Sequence, residues 1–143
     1  MTHISRSALV MYSAEQMFQL VNDVRRYPEF LPGCAATEVI AESDAFIEAQ
    51  LTIVKAGIEQ SFSTHNDLMR PERMEMRLLD GPFTHFRGVW LFSRLSDDAC
   101  KVSFELEFEM KNRLTGAAMG VVFKQVAGMM VDAFVKRAKQ VYG

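Results

Sequence analysis

What this 143-residue sequence has little of excludes several kinds of chemistry. Its two cysteines, Cys34 and Cys100, are too few for a disulfide scaffold and suit a reducing cytosol. The three histidines, His3, His65 and His85, stand apart from one another, without the spacing that zinc ligands need. The sequence contains no glycine-rich phosphate loop, nucleophile elbow or paired-cysteine motif. Glu105, Glu107 and Glu109 lie two apart and share one strand face, which reads as a solvated face and not as an acid–base pair. The residues themselves therefore point to no enzyme, no metal and no cofactor. A formal net charge of −2 supplies no overall basic field to attract nucleic acid, although it leaves local basic patches open. Linkers, internal repeats and low-complexity tracts are absent. Met1-Thr-His-Ile-Ser-Arg has no apolar run behind it, so a secretory signal is not expected.

What is there describes one globular domain over residues 1–143. Hydrophobic residues make up 49% and charged ones 24%, ordinary values for a soluble core-forming chain. Ten methionines favour a plastic interior. The chain is organised around its last thirty residues. Gly116, Gly120, Phe123, Ala127, Met130, Phe134, Ala138 and Val141 recur at steps of three and four, which predicts a helix from about Arg113 to Tyr142. At 1.5 Å per residue it would be about 45 Å long. Lys124, Gln125, Asp132, Lys136 and Lys139 fall on the opposite, solvated face, and Val121, Val122 and Met129 lie towards it. Leu114 to Val131 is apolar enough to suggest a membrane span, but Lys124 and Gln125 sit near its middle, where a charge costs roughly 3 kcal/mol. Two glycines on the seam argue against a coiled coil. The better reading is an amphipathic helix packed on a large surface, its bulky Phe and Met alternating with Gly and Ala.

Upstream, Ile4 to Met11 predicts a first strand, and Ser13-Ala14-Glu15-Gln16 a capping box that starts a helix to about Asn22. Asp23 is placed to cap a further turn. Tyr27 to Gly33 allows only a short helical turn between Pro28 and Pro32. From Ala35 the period changes to two. Strands are predicted from Ala35 to Glu42, around Ile47 to Ile53, from Ile58 to Met69, from Arg73 to Leu78, around Phe86 to Phe92 and from Val102 to Met110, joined by short turns. With the first strand, this implies a seven-stranded antiparallel sheet with one apolar face. The only long apolar element left to cover that face is the C-terminal helix. The fold class is α+β, a curved sheet gripping a helix.

Three stretches resemble a known family. They are Tyr27-Pro28-Glu29-Phe30-Leu31-Pro32-Gly33-Cys34, then Leu79-x-Gly81-Pro82-Phe83-x-x-Phe86-x-Gly88-x-Trp90-x-Phe92, and Ala133 to Tyr142. Together they are similar to the coenzyme Q-binding START-like family of the polyketide cyclase/dehydrase and lipid transport superfamily, over essentially the whole chain. The third stretch resembles its bacterial branch, which includes a ribosome-association toxin. The resemblance implies a single START-like domain with the helix-grip fold. It also implies two functions: capture of ubiquinone or a polyisoprenoid precursor as a carrier or chaperone supporting respiration, and binding of the large ribosomal subunit to block subunit joining.

Each function has candidate residues. Met74, Met76, Trp90, Phe104, Phe108, Met119, Phe123 and Met130 would line a cavity between sheet and helix, with Gly120 leaving it room. Gln60, Thr64 and Asn66 share the inward face of their strand and would bond a quinone's oxygens. Phe30 and Leu31 form a possible lip for transient contact with the inner membrane, although packing across the helix–sheet gap suits them better. For the ribosome, the basic candidates are Arg25, Arg26, Lys124, Lys136, Arg137 and Lys139. Either way the protein is expected in the cytoplasm.

Overall fold

The computed structural model describes residues 1–112 and 116–143. Strand β1 (Thr2–Val10) leads into helix α1 (Ala14–Asn22) and a 3₁₀ helix, Val24–Glu29. Six strands follow: β2 (Cys34–Glu42), β3 (Phe46–Lys55), β4 (Ile58–Met69), β5 (Arg73–Asp80), β6 (Phe83–Ser96) and β7 (Ala99–Met110). Helix α2 (Ala117–Tyr142) ends the chain.

The strands form because apolar and polar residues alternate, and their hairpins set the register. Ala56 and Gly57 both have positive φ, 53° and 77°, the two-residue geometry whose twist matches antiparallel partners. The sheet order is β1-β7-β6-β5-β4-β3-β2, so a six-strand meander receives the first strand at its far edge. Every pairing is antiparallel, as the short turns require within the meander, and β1 joins β7 in the same sense. Register shifts in β2 and β6, and between β4 and β5, mark bulges, which bend and twist the strands that carry them.

Helix α1 begins as its sequence dictates. The Ser13 hydroxyl accepts from the Gln16 amide at 3.1 Å, and the Gln16 side chain accepts from the Ser13 amide at 2.9 Å. The helix buries Met17, Phe18 and Val21 completely. Asp23 bounds the next turn without capping it, because its carboxylate turns outward to Arg26 at 3.5 Å. That turn follows Asp23 as expected and runs on through Pro28, so it begins before the stretch between the two prolines. It is anchored by the buried Tyr27 hydroxyl, which donates to the Val21 carbonyl. Val24, Tyr27 and Leu31 thereby face inward.

Helix α2 starts at Ala117, and 26 residues make it about 39 Å long. The expected first residue, Arg113, lies outside the described residues. Phe123, Ala127, Met130, Phe134 and Ala138 are buried against the sheet as predicted, and Lys124, Gln125, Asp132, Lys136 and Lys139 are exposed. Two positions differ. Val122 is buried, because the covered arc is wider than a three-four stripe and also takes in Val126 and Ala133. Val141 is 50% exposed, since its turn runs past the packed region, where Tyr142 closes on α1 through a bond to the Gln16 carbonyl. Gly33 lets this packing happen. It has φ +81°, and a Cβ there would come within 3.0 Å of Val126.

Candidate functional site

The apolar face of the sheet and the inner face of α2 meet in two aromatic clusters. Towards the helix N-terminus, Phe123 lies edge-on to Phe62 and Phe83, with ring centroids 5.3 and 5.0 Å away, and Phe86 and Phe108 complete the group. Further along, Phe134 meets Tyr27, Phe30 and Trp90 edge-on at 5.4, 5.3 and 5.4 Å. Trp90 in turn stacks on Phe104 at 4.3 Å. Edge-to-face packing of this kind fills space efficiently.

An interior cavity of about 50 Å³ remains. Nine of the expected binding residues line it: Thr64, Asn66, Met74, Met76, Trp90, Phe104, Phe108, Phe123 and Met130. Three do not. Gln60 donates to the neighbouring Ser61 carbonyl at 2.9 Å, and its side chain stays on the strand. Met119 is half-buried outside the cavity lining, and Gly120 faces a separate surface hollow bounded by Met1, Met110 and Val121. A larger residue at Gly120 would therefore meet Met110 and leave the cavity unfilled. Sequence reasoning missed Val24, Tyr27 and Leu31 as part of the wall. Their spacing of three and four was the available signal, hidden by the two prolines.

The cavity is small for the expected cargo. An engineered cavity that takes up benzene measures about 150 Å³. A prenylated ring would therefore enter only by displacing side chains, and three of the lining residues are flexible methionines. The polar groups are few. The Thr64 hydroxyl donates to the Asn66 side-chain oxygen at 2.9 Å, and the Asn66 amide reaches only the Met74 sulfur, at 3.9 Å. Both residues are almost wholly buried. Burial also raises the Tyr27 phenol above its ordinary pKa, and it pushes the Cys34 thiol up to about 11. Phe30 and Leu31 do not form a membrane lip. Leu31 is 4% exposed inside the cleft, and Phe30 packs between Phe134 and the guanidinium of Arg137.

The basic candidates divide by their partners. Arg25 is held by Glu42 at 2.6 Å, Arg26 by Glu29 at 3.2 Å, and Arg137 by Glu29 at 2.9 Å. Lys124, Lys136 and Lys139 are exposed, and none of them has an ion pair among the described residues. On the outer sheet face His65 sits between Glu48 and Asp67, and Glu107 between His85 and His3. The His85 hydrogen bond holds the Glu107 carboxyl below its ordinary range. Among the described residues no group of His, Cys, Asp and Glu could hold a metal ion. By length and composition α2 could cross a membrane, yet Phe123, Met130 and Phe134 bury one side of it in the protein.

Residues 10–135 match the model of a family described as polyketide cyclase / dehydrase and lipid transport. A Vibrio cholerae protein named ribosome association toxin RatA is 50% identical over 143 residues, covering 100% of this chain and 99% of the relative. A mitochondrial coenzyme Q-binding protein, COQ10 homolog B of Xenopus laevis, is 31% identical over 97% of this chain and 59% of its own length. Among solved structures, the Zhui aromatase/cyclase of a Streptomyces superposes with a TM-score of 0.85 over 99% of this chain and 96% of that one, at 17% identity. That last likeness concerns the fold alone.

Proposed function

The chain belongs to the polyketide cyclase / dehydrase and lipid transport family, and from that premise we propose that it acts on ribosome association. The observation that carries this reading is the identity of about half the residues, end to end, with a relative named for that activity. The interior supports it from the other side. A cavity of about 50 Å³ holds no ready-made room for a quinone, so constitutive lipid carriage is the weaker first reading. We take the large ribosomal subunit as the partner and prevention of subunit joining as the outcome. Such a partner implies a cytoplasmic protein.

The test is a sucrose gradient of purified subunits mixed with the protein under associating conditions. The joined particle is expected to decline in favour of free subunits as protein is added. An unchanged profile at several-fold molar excess would overturn the proposal.

A second reading keeps an apolar ligand in the cleft, and one observation favours it. The Asn66 amide has only a sulfur neighbour, in a wall whose hydroxyls, on Thr64 and Tyr27, are already donated elsewhere, so a ligand carbonyl would be its better acceptor. We read such a site as one that binds without catalysis. Thr64 and Asn66 bond each other, and Tyr27 is tied to the Val21 carbonyl, which leaves no nucleophile paired with a base in the lining. Lipid extraction of protein isolated from its own host, followed by mass spectrometry, should recover a stoichiometric apolar molecule. Ala127→Leu, which fills the cavity from α2, should exclude it. Recovery of nothing above background would remove this reading.

A further inference from the structure

We propose that Arg6, Lys124, Lys136 and Lys139 form a phosphate-contacting face along the outside of α2, directed at ribosomal RNA. The inference rests on the ribosome-association reading and specifies its surface. Arg6 is the residue the sequence did not announce. It lies in β1 opposite Phe104, a residue whose side chain points into the core. Arg6 therefore projects to the helix side of the sheet. Because β1 is the edge strand, its side chain runs out over α2 instead of entering the core.

It arrives at Gly128. A Cβ at that position would lie 3.4 Å from the Arg6 Nη2 atom, so the missing side chain leaves a notch against which the guanidinium rests. The Arg6 Nη1 atom donates to the Ser5 carbonyl at 2.9 Å, fixing one side of the fork. The group remains exposed, and no carboxylate pairs with it among the described residues. An arginine held in place, uncompensated and open to solvent is arranged to meet an anion from outside.

The other cations continue from it. Lys124 stands four residues before Gly128, and Lys136 and Lys139 stand eight and eleven after it, all on the outward side of the helix. From Lys124 to Lys139 the row spans about 22 Å. Asp132 is the one carboxylate in α2, set against Lys124, Lys136, Arg137 and Lys139, so the helix carries net +3 in a chain of net −2. The rest of the chain is therefore net −5, and α2 is a positive element on a negative molecule. By contrast Arg25, Arg26 and Arg137 already have carboxylate partners, Glu42 for the first, Asp23 and Glu29 for the second and Glu29 for the third.

The chemistry of the face selects the partner. A protein interface draws its energy from buried aromatic and apolar anchors. This face offers the four cations, Gln125, the Gly128 notch and a single carboxylate, Asp132, one turn from both Gly128 and Lys136, with Val121 as its large exposed apolar residue at one end. Charge spread along a straight line with few apolar anchors suits a phosphate backbone, whose binding depends on cation contacts and little on sequence.

The test compares the wild type with Arg6→Glu/Lys124→Glu and Lys136→Glu/Lys139→Glu. The probes are intact large subunits and ribosomal RNA stripped of protein, each over a range of salt. The wild type should bind both, steeply weakened by salt. Each double variant should lose at least tenfold in affinity at about 0.1 M salt, and its log–log salt slope should flatten by roughly 1.4 to 1.8, two phosphates' worth. Arg26→Glu, a control at a paired position, should change neither value by more than about twofold. Variants that bind subunits with wild-type affinity and slope would overturn the face while ribosome association stands. Wild-type binding that ignores salt, or that fails on the stripped RNA, would replace RNA with a ribosomal protein as the partner and so overturn it too. A wild type that binds no subunits at all would remove the ribosome-association reading itself.

Discussion

The two ends of α2 meet the sheet in different ways. Around Phe134 the helix is locked: Met130, Val131, Ala133, Phe134 and Ala138 are all buried, and Phe134 touches rings from the 3₁₀ helix, from Phe30 and from β6. Around Gly120 it is loosely covered. Ala117, Ala118 and Val121 are exposed, Met119 is half-buried, and Gly116 caps the helix without a side-chain bond or an acidic first turn. The 50 Å³ cavity lies between these regimes, with Phe123 and Met130 both on its wall. One amphipathic helix therefore serves as an anchor at its C-terminal end and as a yielding cover at its N-terminal end. Any ligand that needs more room than the cavity holds would enter by moving the second end.

The largest effect should come from attacking the anchor. Phe134→Ala is expected to cost about 4 kcal/mol in denaturant unfolding, and Phe123→Ala about 3, because the looser end collapses more readily around the lost ring. Equal losses would dissolve the distinction between the ends. Gly116→Ala should come next, at about 2 kcal/mol destabilising. A Cβ there would lie 2.2 Å from the Asn112 carbonyl oxygen, so backbone must move to admit it. The measurement is again the unfolding free energy.

Tyr27→Phe should cost roughly 1 kcal/mol at neutral pH, for the lost buried hydrogen bond to Val21. It should also change the alkaline limb of stability. The Tyr27 phenol and the Cys34 thiol both have folded pKa values raised by burial, the thiol to about 11. Groups raised in the folded state contribute stability that is complete below their unfolded values, about 8.5 for the thiol and about 10 for the phenol. That stability is lost as pH rises above those values. Thermal midpoints should hold to about pH 8.5 and fall beyond it, and Tyr27→Phe should flatten the part of the fall above pH 10. The smallest effect, opposite in sign, belongs to Gly120→Ala. Its Cβ would make only an ordinary 3.4 Å contact with Met110, so replacing this first-turn glycine should stabilise by about 0.5 kcal/mol. Two glycines one turn apart should thus respond in opposite directions.

Much of the candidate site was legible because its residues sit in strands of strict period two. Thr64, Asn66, Met74, Met76, Trp90, Phe104 and Phe108 could be placed on the inner face one by one, and each lines the cavity. Gln60 obeyed the same period and lies opposite the cavity-lining Ile53, yet its amide bends back to the Ser61 carbonyl and stays out of the lining. Periodicity assigns a face and says nothing about which partner a side chain on that face takes or where the cavity stops. The same limit applies to Met119 and Gly120, which sit on the correct stripe but beyond the cavity. Cations fared worse, since a sequence shows charges and not their partners. Arg25, Arg26 and Arg137 look as available as Lys136 until Glu42 and Glu29 are seen beside them.

The sequence by itself determined the elements: a capping box for α1, six turn-bounded strands after the first, and a long amphipathic helix at the end. These depend on side-chain periods and local hydrogen bonds, which neighbours along the chain supply. Only the tertiary structure decided how closely α2 seats on the sheet, and so that the cavity holds about 50 Å³. Only it brought Arg6 across to Gly128, over a separation of more than a hundred residues. Both outcomes depend on edge position, sheet curvature and ring packing between segments remote in sequence, and no local pattern encodes the distance between two such surfaces.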